Sequence, residues 1–255
     1  MRATVIGSGD AFGSGGRFQT CIALAGGNSA SAPHTLVDCG ATSLVALRQH
    51  DVDLNDIETV LVSHLHGDHF GGLPFLVLDG QFRRRTTDLT VVGPAGTEER
   101  LTDAMEALFP GSSKVRRRFA VNVVEHTDRV PYHQERVSVV PFEVRHASGA
   151  PAYALRVTDN DTGTTLAYSG DTEWTDALID AADGVEVFLC EGYAPTPVRW
   201  HLDLDSLAEN SDRLSCRRLI LTHMSPAALA LEDIAWETAQ DGMALDLTDG
   251  PATPA

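Results

Sequence analysis

The sequence predicts an α/β fold in which two β-sheets are flanked by helices. Apolar runs of strand length, such as Thr59–Val62, are separated by helix-like stretches such as Thr97–Leu108. Strand runs interspersed with helices suit stacked layers of sheets and helices. At 255 residues the chain is long enough for one well-buried domain. We therefore expect one domain over residues 1–250 and a short frayed tail over residues 251–255.

The predicted elements follow one another along the chain. Glu98 and Glu99 occupy the first turn of a predicted helix, where negative charge is favourable, and Asn160 and Gly163 mark a turn between two strands. The predicted strands are Ala3–Ile6, Thr20–Leu24, Thr35–Val37, Thr59–Val62, Leu89–Val92, Val121–Val124, Val137–Val144, Ala152–Thr158, Thr164–Tyr168, Val185–Cys190 and Arg218–Leu221, and the four from Val121 to Tyr168 are assigned to a second sheet. The predicted helices are Thr42–Gln49, Phe70–Leu78, Thr97–Leu108, Trp174–Ala181 and Asp205–Leu214.

The segment from Ser63 to His69 is the strongest functional signal in the chain. It places His64, His66, Asp68 and His69 directly after an apolar strand. Side chains alternate in an extended segment, so His64 and His66 are expected to point the same way. Gly67 is expected to allow a sharp turn, beyond which Asp68 and His69 reach a second position close by. Imidazole and carboxylate groups are metal ligands, so the cluster favours a metal site over a solvated polar loop.

Three further residues share one context, a ligand-type side chain directly after an apolar strand. They are His146, Asp171 and His223. Side chains that follow adjacent strands can converge at one edge of a sheet, so the cluster and these three residues together predict a metal centre. A lone histidine at such a position would be a structural histidine equally well, but three such positions beside the cluster favour ligands.

These motifs resemble the metallo-β-lactamase superfamily, and the resemblance covers nearly the whole chain. The matching features are the HxHxDH pattern, the Ser-Gly-Asp-Thr around Asp171 and the Leu-Thr-His-Met-Ser around His223. The resemblance implies an αββα four-layer sandwich with two metal ions at one edge. It implies that His64, His66 and His146 hold the first ion, that Asp68, His69 and His223 hold the second, and that Asp171 bridges them.

A finer resemblance is to the ribonuclease Z branch of that superfamily. The opening Val5–Gly13, the segment Gln19–Leu24 and Leu189-Cys190-Glu191-Gly192 followed by His201 are similar to that branch. The resemblance implies that His201 assists phosphodiester cleavage. The tRNA-processing members carry a long insertion between the third-motif histidine and the bridging aspartate. Here that interval holds only enough chain for two strands, which argues against tRNA processing.

The expected chemistry is hydrolysis at a dinuclear centre. Metal binding lowers the pKa of water from about 15.7 to roughly 7, which supplies a nucleophile at neutral pH. His201 is the candidate proton donor to the leaving group, Asp68 is expected to orient the attacking water as well as bind metal, and Glu191 is a candidate to fix an imidazole. A phosphodiesterase acting on a small or short substrate is the first hypothesis. A hydrolase of carboxylic esters, lactones, thioesters or β-lactams is the alternative, and a metal-retaining binding or sensing protein without turnover is the third. Zn²⁺ is the expected ion, with Mn²⁺ or Fe as alternatives.

Composition narrows the partners. The formal net charge of −17 opposes docking of long nucleic acids, which basic surfaces usually bind. The arginine clusters at residues 83–85 and 116–118 fit a solvated face better than an anion-attracting rim. No apolar run is long enough to span a membrane and no export signal is recognisable, so we expect a cytoplasmic protein without membrane contact. A homodimer is possible on this sequence. The cysteines lack CxxC spacing, and Cys21, Cys39 and Cys190 are expected to be buried free thiols.

Overall fold

A computed structural model describes residues 1–26 and 32–247 of the chain. Within them the strands form two seven-stranded sheets. The first sheet has the order β14-β1-β2-β3-β4-β5-β6 and the second has the order β13-β12-β11-β10-β9-β8-β7. The strands of the first sheet are β1 (Arg2–Gly7), β2 (Cys21–Ala25), β3 (Pro33–Val37), β4 (Thr59–Leu61), β5 (Leu89–Gly93), β6 (Val121–Glu125) and β14 (Met243–Asp246). Those of the second are β7 (Tyr132–His133), β8 (Val137–Val144), β9 (Ala152–Asp159), β10 (Thr165–Tyr168), β11 (Val187–Glu191), β12 (Leu219–Thr222) and β13 (Glu237–Thr238).

Helices cover the outer faces of both sheets. They are α1 (Ser43–Gln49), α2 (Gly67–Phe70), α3 (Leu73–Phe82), α4 (Thr97–Leu108), α5 (Ala177–Ala182), α6 (Leu204–Asn210) and α7 (Pro226–Leu229). Short 3-10 helices occupy Ser14–Gly16, Leu54–Asp56, Ser112–Lys114 and Ser211–Arg213.

Alternation along the strands explains why the layers stack. In β2, Ile22 and Leu24 pack between the two sheets, whereas Cys21 and Ala23 face the core beneath α1, α3 and α4. A third buried cluster lies between the second sheet and α5, α6 and α7. Strands buried on both faces are consistently apolar, and the result is the predicted αββα four-layer sandwich.

Several local predictions differ from the structure. Strand β6 was assigned to the second sheet, but it pairs in parallel with β5 in the first sheet. The helix predicted over 70–78 is interrupted between α2 and α3, because the chain passes Cys39 and Gly40 so closely that a Cβ on Gly72 would meet the Gly40 oxygen at 2.5 Å. Gly67 does not supply a special turn, since it begins α2 without a positive φ. Helices α5 and α6 are shorter than predicted, and the edge strands β7, β13 and β14 were not predicted.

The remaining sequence expectations have mixed outcomes. The cysteines are free and Cys21, Cys39 and Cys190 are buried, as predicted. The arginine clusters are not uniformly solvated, because Arg85 is 3% exposed and its guanidinium donates to the backbone oxygens of Leu54 and Thr87. The tail at 251–255 lies outside the described residues, and one domain over 1–250 stays a prediction. No helix in the described ranges is both long and apolar enough to cross a membrane.

Candidate metal centre

The functional side chains gather at one edge of the sandwich, where parallel strands end. Asp38 follows β3, His64 follows β4, Asp171 follows β10 and His223 follows β12, each within three residues of the end of its strand. His146 follows β8, which is antiparallel to β9 and therefore runs in the same direction as β10. The carboxyl ends of the strands thus bring the chemistry together at one place.

The structure brings all seven predicted ligands into two neighbouring groups. We call His64, His66 and His146 the imidazole group, and Asp68, His69, Asp171 and His223 the carboxylate group. Within each group the ligand atoms lie within 4.8 Å of one another. Asp171 lies between the groups: its Oδ1 is 3.3 Å from His69 Nε2, and its Oδ2 is 3.9 Å from both His64 Nε2 and His146 Nε2.

Hydrogen bonds at the outer nitrogens hold two of the imidazole rings. His69 Nδ1 donates to Asp38 Oδ2 at 2.7 Å, and His146 Nδ1 donates to the backbone oxygen of Trp200 at 2.7 Å. Each bond orients its ring so that Nε2 is directed into the cluster, where His146 Nε2 lies 3.0 Å from His66 Nδ1.

The unpaired atoms of the cluster fit a cation. His64 Nε2, His69 Nε2 and Asp171 Oδ1 are buried and have no hydrogen-bond partner within the described residues. Buried polar atoms of proteins are normally paired, and imidazole nitrogen with carboxylate oxygen is a donor set for divalent metals. The residues present therefore fit divalent-metal binding.

The histidine pKa values of the two groups are shifted in opposite directions, as His64 and His223 show. Burial, reinforced by the neighbouring His69, lowers the pKa of His64 well below its usual value. Burial also opposes charge on His223, but Asp171, Asp68 and Glu191 outweigh it and raise the pKa of His223 to about 10. The carboxylate group thus attracts positive charge, whereas His64 is held neutral.

His201 and Glu191 form a pair beside both groups. His201 Nδ1 lies 2.5 Å from Glu191 Oε1 and 3.7 Å from Asp171 Oδ2. Glu191 is completely buried, and its Oε2 accepts hydrogen bonds from the backbone N–H groups of Thr172 and Leu202. Burial opposes charge on His201, but the hydrogen bond to Glu191 and the charges around it raise the pKa of the imidazole.

Sequence reasoning missed Asp38, a central support of the site. Its two oxygens accept hydrogen bonds from the backbone N–H and the hydroxyl of Ser63, and Oδ2 also accepts from His69. The signal was present, because Asp38 follows the apolar run Thr35–Val37 in the same context as His146, Asp171 and His223.

The site and the fold match a known family. The family model for the anti-Pycsar protein Apyc1 matches residues 1–241. The chain belongs to this family. Uncharacterized protein Rv1339 of Mycobacterium tuberculosis is 34% identical over 205 residues, covering 76% of this chain and 72% of that protein. Ribonuclease Z of Geobacillus kaustophilus is 27% identical over 244 residues, covering 74% of this chain and 77% of the enzyme.

Solved structures share the fold at low sequence identity. The short form of human tRNase Z superposes with a TM-score of 0.74 at 19% identity, covering 98% of this chain and 100% of that one. The metallo-β-lactamase-fold protein YhfI of Bacillus subtilis gives 0.72 at 19% identity, covering 96% and 99%. A diphosphatase of the PhnP family gives 0.74 at 18% identity, covering 96% and 97%.

These relatives confirm the predicted class. The chain is a ribonuclease Z-like member of the metallo-β-lactamase-fold hydrolases, with a cluster of His and Asp side chains suited to divalent metal. The interval between His146 and Asp171 also has the predicted content, since it holds β9, a turn at Gly163 and β10.

Proposed function

We propose that this protein is a phosphodiesterase with two divalent metal ions, most simply Zn²⁺, that cleaves a small or short phosphodiester. The observation that carries the proposal is the position of His201, which lies beside both ligand groups with its pKa raised and its Nδ1 bound to Glu191. A proton donor next to a candidate dinuclear centre suits a reaction that expels an alkoxide. Mn²⁺ and Fe are the alternative ions.

The imidazole group would hold one ion, the carboxylate group the other, and Asp171 would bridge them. Bound divalent ions supply an acidified water and positive charge for the transition state. The protein supplies the fixed ligand atoms, so that little reorganisation is needed during reaction. The ring of His66 is half-buried whereas every member of the carboxylate group is buried, so substrate would approach from the side of His66.

Asp68 has a second role in this proposal. Its Oδ2 lies 3.2 Å from both His69 Nε2 and His223 Nε2, and these histidines keep the pKa of its carboxyl below the usual value despite burial. An ionised carboxylate accepts hydrogen bonds only, so Asp68 would orient the attacking water by accepting a hydrogen bond from it.

His201 would donate a proton to the leaving oxygen. Because Nδ1 is bound to Glu191, the proton for the leaving group comes from Nε2. A phosphodiester transition state carries more negative charge than the single oxyanion of a carboxylic ester. Two metal ions and an imidazolium match that larger charge better, which favours phosphodiesters over lactones, thioesters and β-lactams.

The test compares substrate classes on protein reloaded with Zn²⁺ or Mn²⁺ after chelation. Bis(p-nitrophenyl) phosphate is expected to be hydrolysed more efficiently than nitrocefin or simple lactones. His201→Ala should keep its metal and lose turnover of phosphodiesters with a poor leaving group by about a hundredfold or more, because a positioned acid contributes roughly 10²–10⁴-fold. His133→Ala, an exposed histidine on β7, is the matched control and should behave as the wild type.

Other outcomes of that panel would replace the proposal. Turnover of lactones or thioesters without phosphodiesters would establish the ester hydrolase instead. Metal binding without turnover of any class would identify a binding or sensing protein. Loss of metal from His201→Ala would contradict the assigned role of His201.

We further propose that long nucleic acids are not substrates. The short β9–β10 interval has no room for a tRNA-binding insertion, and a net charge of −17 repels polyanions. Precursor tRNA should be left uncleaved at physiological salt, and efficient site-specific cleavage would contradict this. A cytoplasmic location is proposed on the free thiols of Cys21, Cys39, Cys190 and Cys216.

A homodimer is proposed through an apolar groove of about 340 Å³ between α1 and α3. Val45 and Phe82 in this groove are 57% and 75% exposed, and its charged residues Arg48 and Asp79 form an ion pair. A chain of net charge −17 repels a second copy least across such a neutral surface. Sedimentation should show a dimer of the wild type and a monomer of Phe82→Asp. The control Phe12→Asp, at an exposed phenylalanine outside the groove, should remain dimeric. A monomeric wild type would refute it.

A further inference from the structure

Tyr193 connects the two segments that carry His201 and His223. It lies two residues beyond the end of β11. Its backbone N–H donates to the oxygen of Leu202 at 2.8 Å, and its own oxygen accepts from the N–H of Ser225 at 3.0 Å. The backbone of Tyr193 is therefore tied to both segments.

The ring of Tyr193 lies against the face of His201. The ring centroids are 4.3 Å apart and the planes are inclined by 23°, which is a stacked arrangement. His146 meets the same imidazole edge-on, with centroids 5.1 Å apart and an interplanar angle of 67°. His201 is thus bounded by Glu191 at Nδ1, by Tyr193 on one face and by the His146 ring.

The stack supplies a restraint that the hydrogen bond to Glu191 lacks. A ring held at one nitrogen can still tilt about that contact, and tilting moves Nε2 away from a leaving group. His201 follows Trp200, which has a φ of 73°. The side chain of His201 is 23% exposed. The preceding loop residues 196–199 are exposed, and the other rings beside His201 are those of His146 and of His223, whose centroid is more distant at 6.0 Å.

We propose that Tyr193 is a positioning residue whose ring fixes the orientation of the His201 imidazole, and that its hydroxyl is dispensable for this. The inference rests on the proposed function, because orientation of His201 affects turnover only if His201 donates a proton. The stack itself is independent of that function and can be measured without turnover.

The first measurement uses zinc-loaded Tyr193→Leu and Tyr193→Phe. Tyr193→Leu should lower kcat by about ten- to a hundredfold for phosphodiesters with a poor leaving group, with KM and bound zinc unchanged, because small misplacements of a reacting group cost about that much. With p-nitrophenolate, which leaves without a proton, the loss should be much smaller. Tyr193→Phe keeps the ring and should match the wild type. Tyr132→Leu, at a half-buried tyrosine on β7, is the control for loss of an aromatic ring.

The second measurement is the NMR signal of the His201 ring protons, assigned with His201→Gln. An aromatic ring stacked at 4.3 Å shifts them upfield. Tyr193→Leu should abolish that shift and Tyr193→Phe should retain it. Unmoved His201 signals in Tyr193→Leu, equal losses with both leaving groups, or a Phe variant as impaired as the Leu variant would overturn the proposal. A wild type without phosphodiesterase activity would refute the proposed function, while the NMR shift would still decide whether Tyr193 orients His201.

Discussion

The imidazole group and the carboxylate group lie side by side but are built differently. The imidazole group has three candidate nitrogen ligands, and one of its members, His66, is half-buried, whereas the side chain of His146 is 3% exposed. The carboxylate group has four buried members, and one of them, His69, is supported from outside by Asp38. One group therefore reaches the solvent through His66, and the other is enclosed by the fold.

The pKa values of the histidines also differ between the two groups. Burial and the adjacent His146 lower the pKa of His66, so this ring is ready to bind metal as a neutral ligand. Burial opposes charge on His69, but Asp171, Asp68 and Asp38 outweigh it and raise the pKa of that imidazole. A cation replaces the proton that these carboxylates otherwise stabilise. We infer that the carboxylate group holds its ion more tightly and that the imidazole group exchanges its ion more readily.

Substituting Asp171 should weaken metal binding by both groups. Because its carboxylate lies near members of both groups, Asp171→Ala is expected to lower metal content below one ion per chain and activity on the order of a thousandfold. Elemental analysis and turnover of bis(p-nitrophenyl) phosphate measure both effects. Asp161→Ala, at an exposed aspartate, serves as the control, and an Asp171→Ala protein that retains two ions would show that Asp171 does not bridge.

Single histidine substitutions should distinguish the metal affinities of the two groups. His66→Ala is expected to leave about one ion per chain, retained by the buried carboxylate group, whereas His69→Ala should release that ion and leave the Asp38 carboxylate without its imidazole partner. Both should lose at least about a hundredfold in activity, since each removes a ligand from the charged centre. If chelator removed the ion from His66→Ala faster than the first ion leaves the wild type, the ranking of the two groups would be reversed.

Asp38→Asn should weaken the carboxylate group alone. Losing the partner of a metal-binding histidine typically costs about 10–100-fold in metal affinity. Asparagine tolerates the left-handed backbone at this position, where φ is 57°, so the fold should be retained. Asp51→Asn is a matched control, because Asp51 is exposed and has a φ of 56°. If competition titrations showed an equal loss of affinity for both ions, the prediction that Asp38 supports only the carboxylate group would be contradicted.

Protonation of the buried His126 contributes to loss of stability in acid and so restricts such comparisons at low pH. Burial lowers its pKa to about 4, whereas in the unfolded chain the pKa is near its usual 6.5. The fold keeps this ring neutral, so its stabilising effect is complete above pH 6.5 and is lost as the pH falls toward 4. The full loss is roughly 3 kcal/mol in the free energy of unfolding. Urea unfolding between these pH values should show a smaller pH slope in His126→Asn than in His133→Asn, and identical slopes would contradict the assignment.

The sequence alone determined the candidate metal ligands and the layers of the fold. His64, His66, Asp68 and His69 stand within six consecutive positions, and His146, Asp171 and His223 each follow an apolar strand, so local pattern was enough to select them as candidates. Apolar runs such as Thr59–Val62 similarly indicated the buried strands of the sheets. These features depend on residues that are near one another in the chain.

Only the tertiary structure decided which residues support those ligands. Asp38 is 31 residues from His69, and the pairing of β6 with β5 depends on how the helix between them folds back. The stacking of Tyr193 on His201 likewise depends on the path of the loop that returns after β11. Periodicity fixes the face on which a side chain lies, but it does not fix which distant segment lies against that face. Strand order and loop path provide that information, because the free energy of packing is summed over the whole chain.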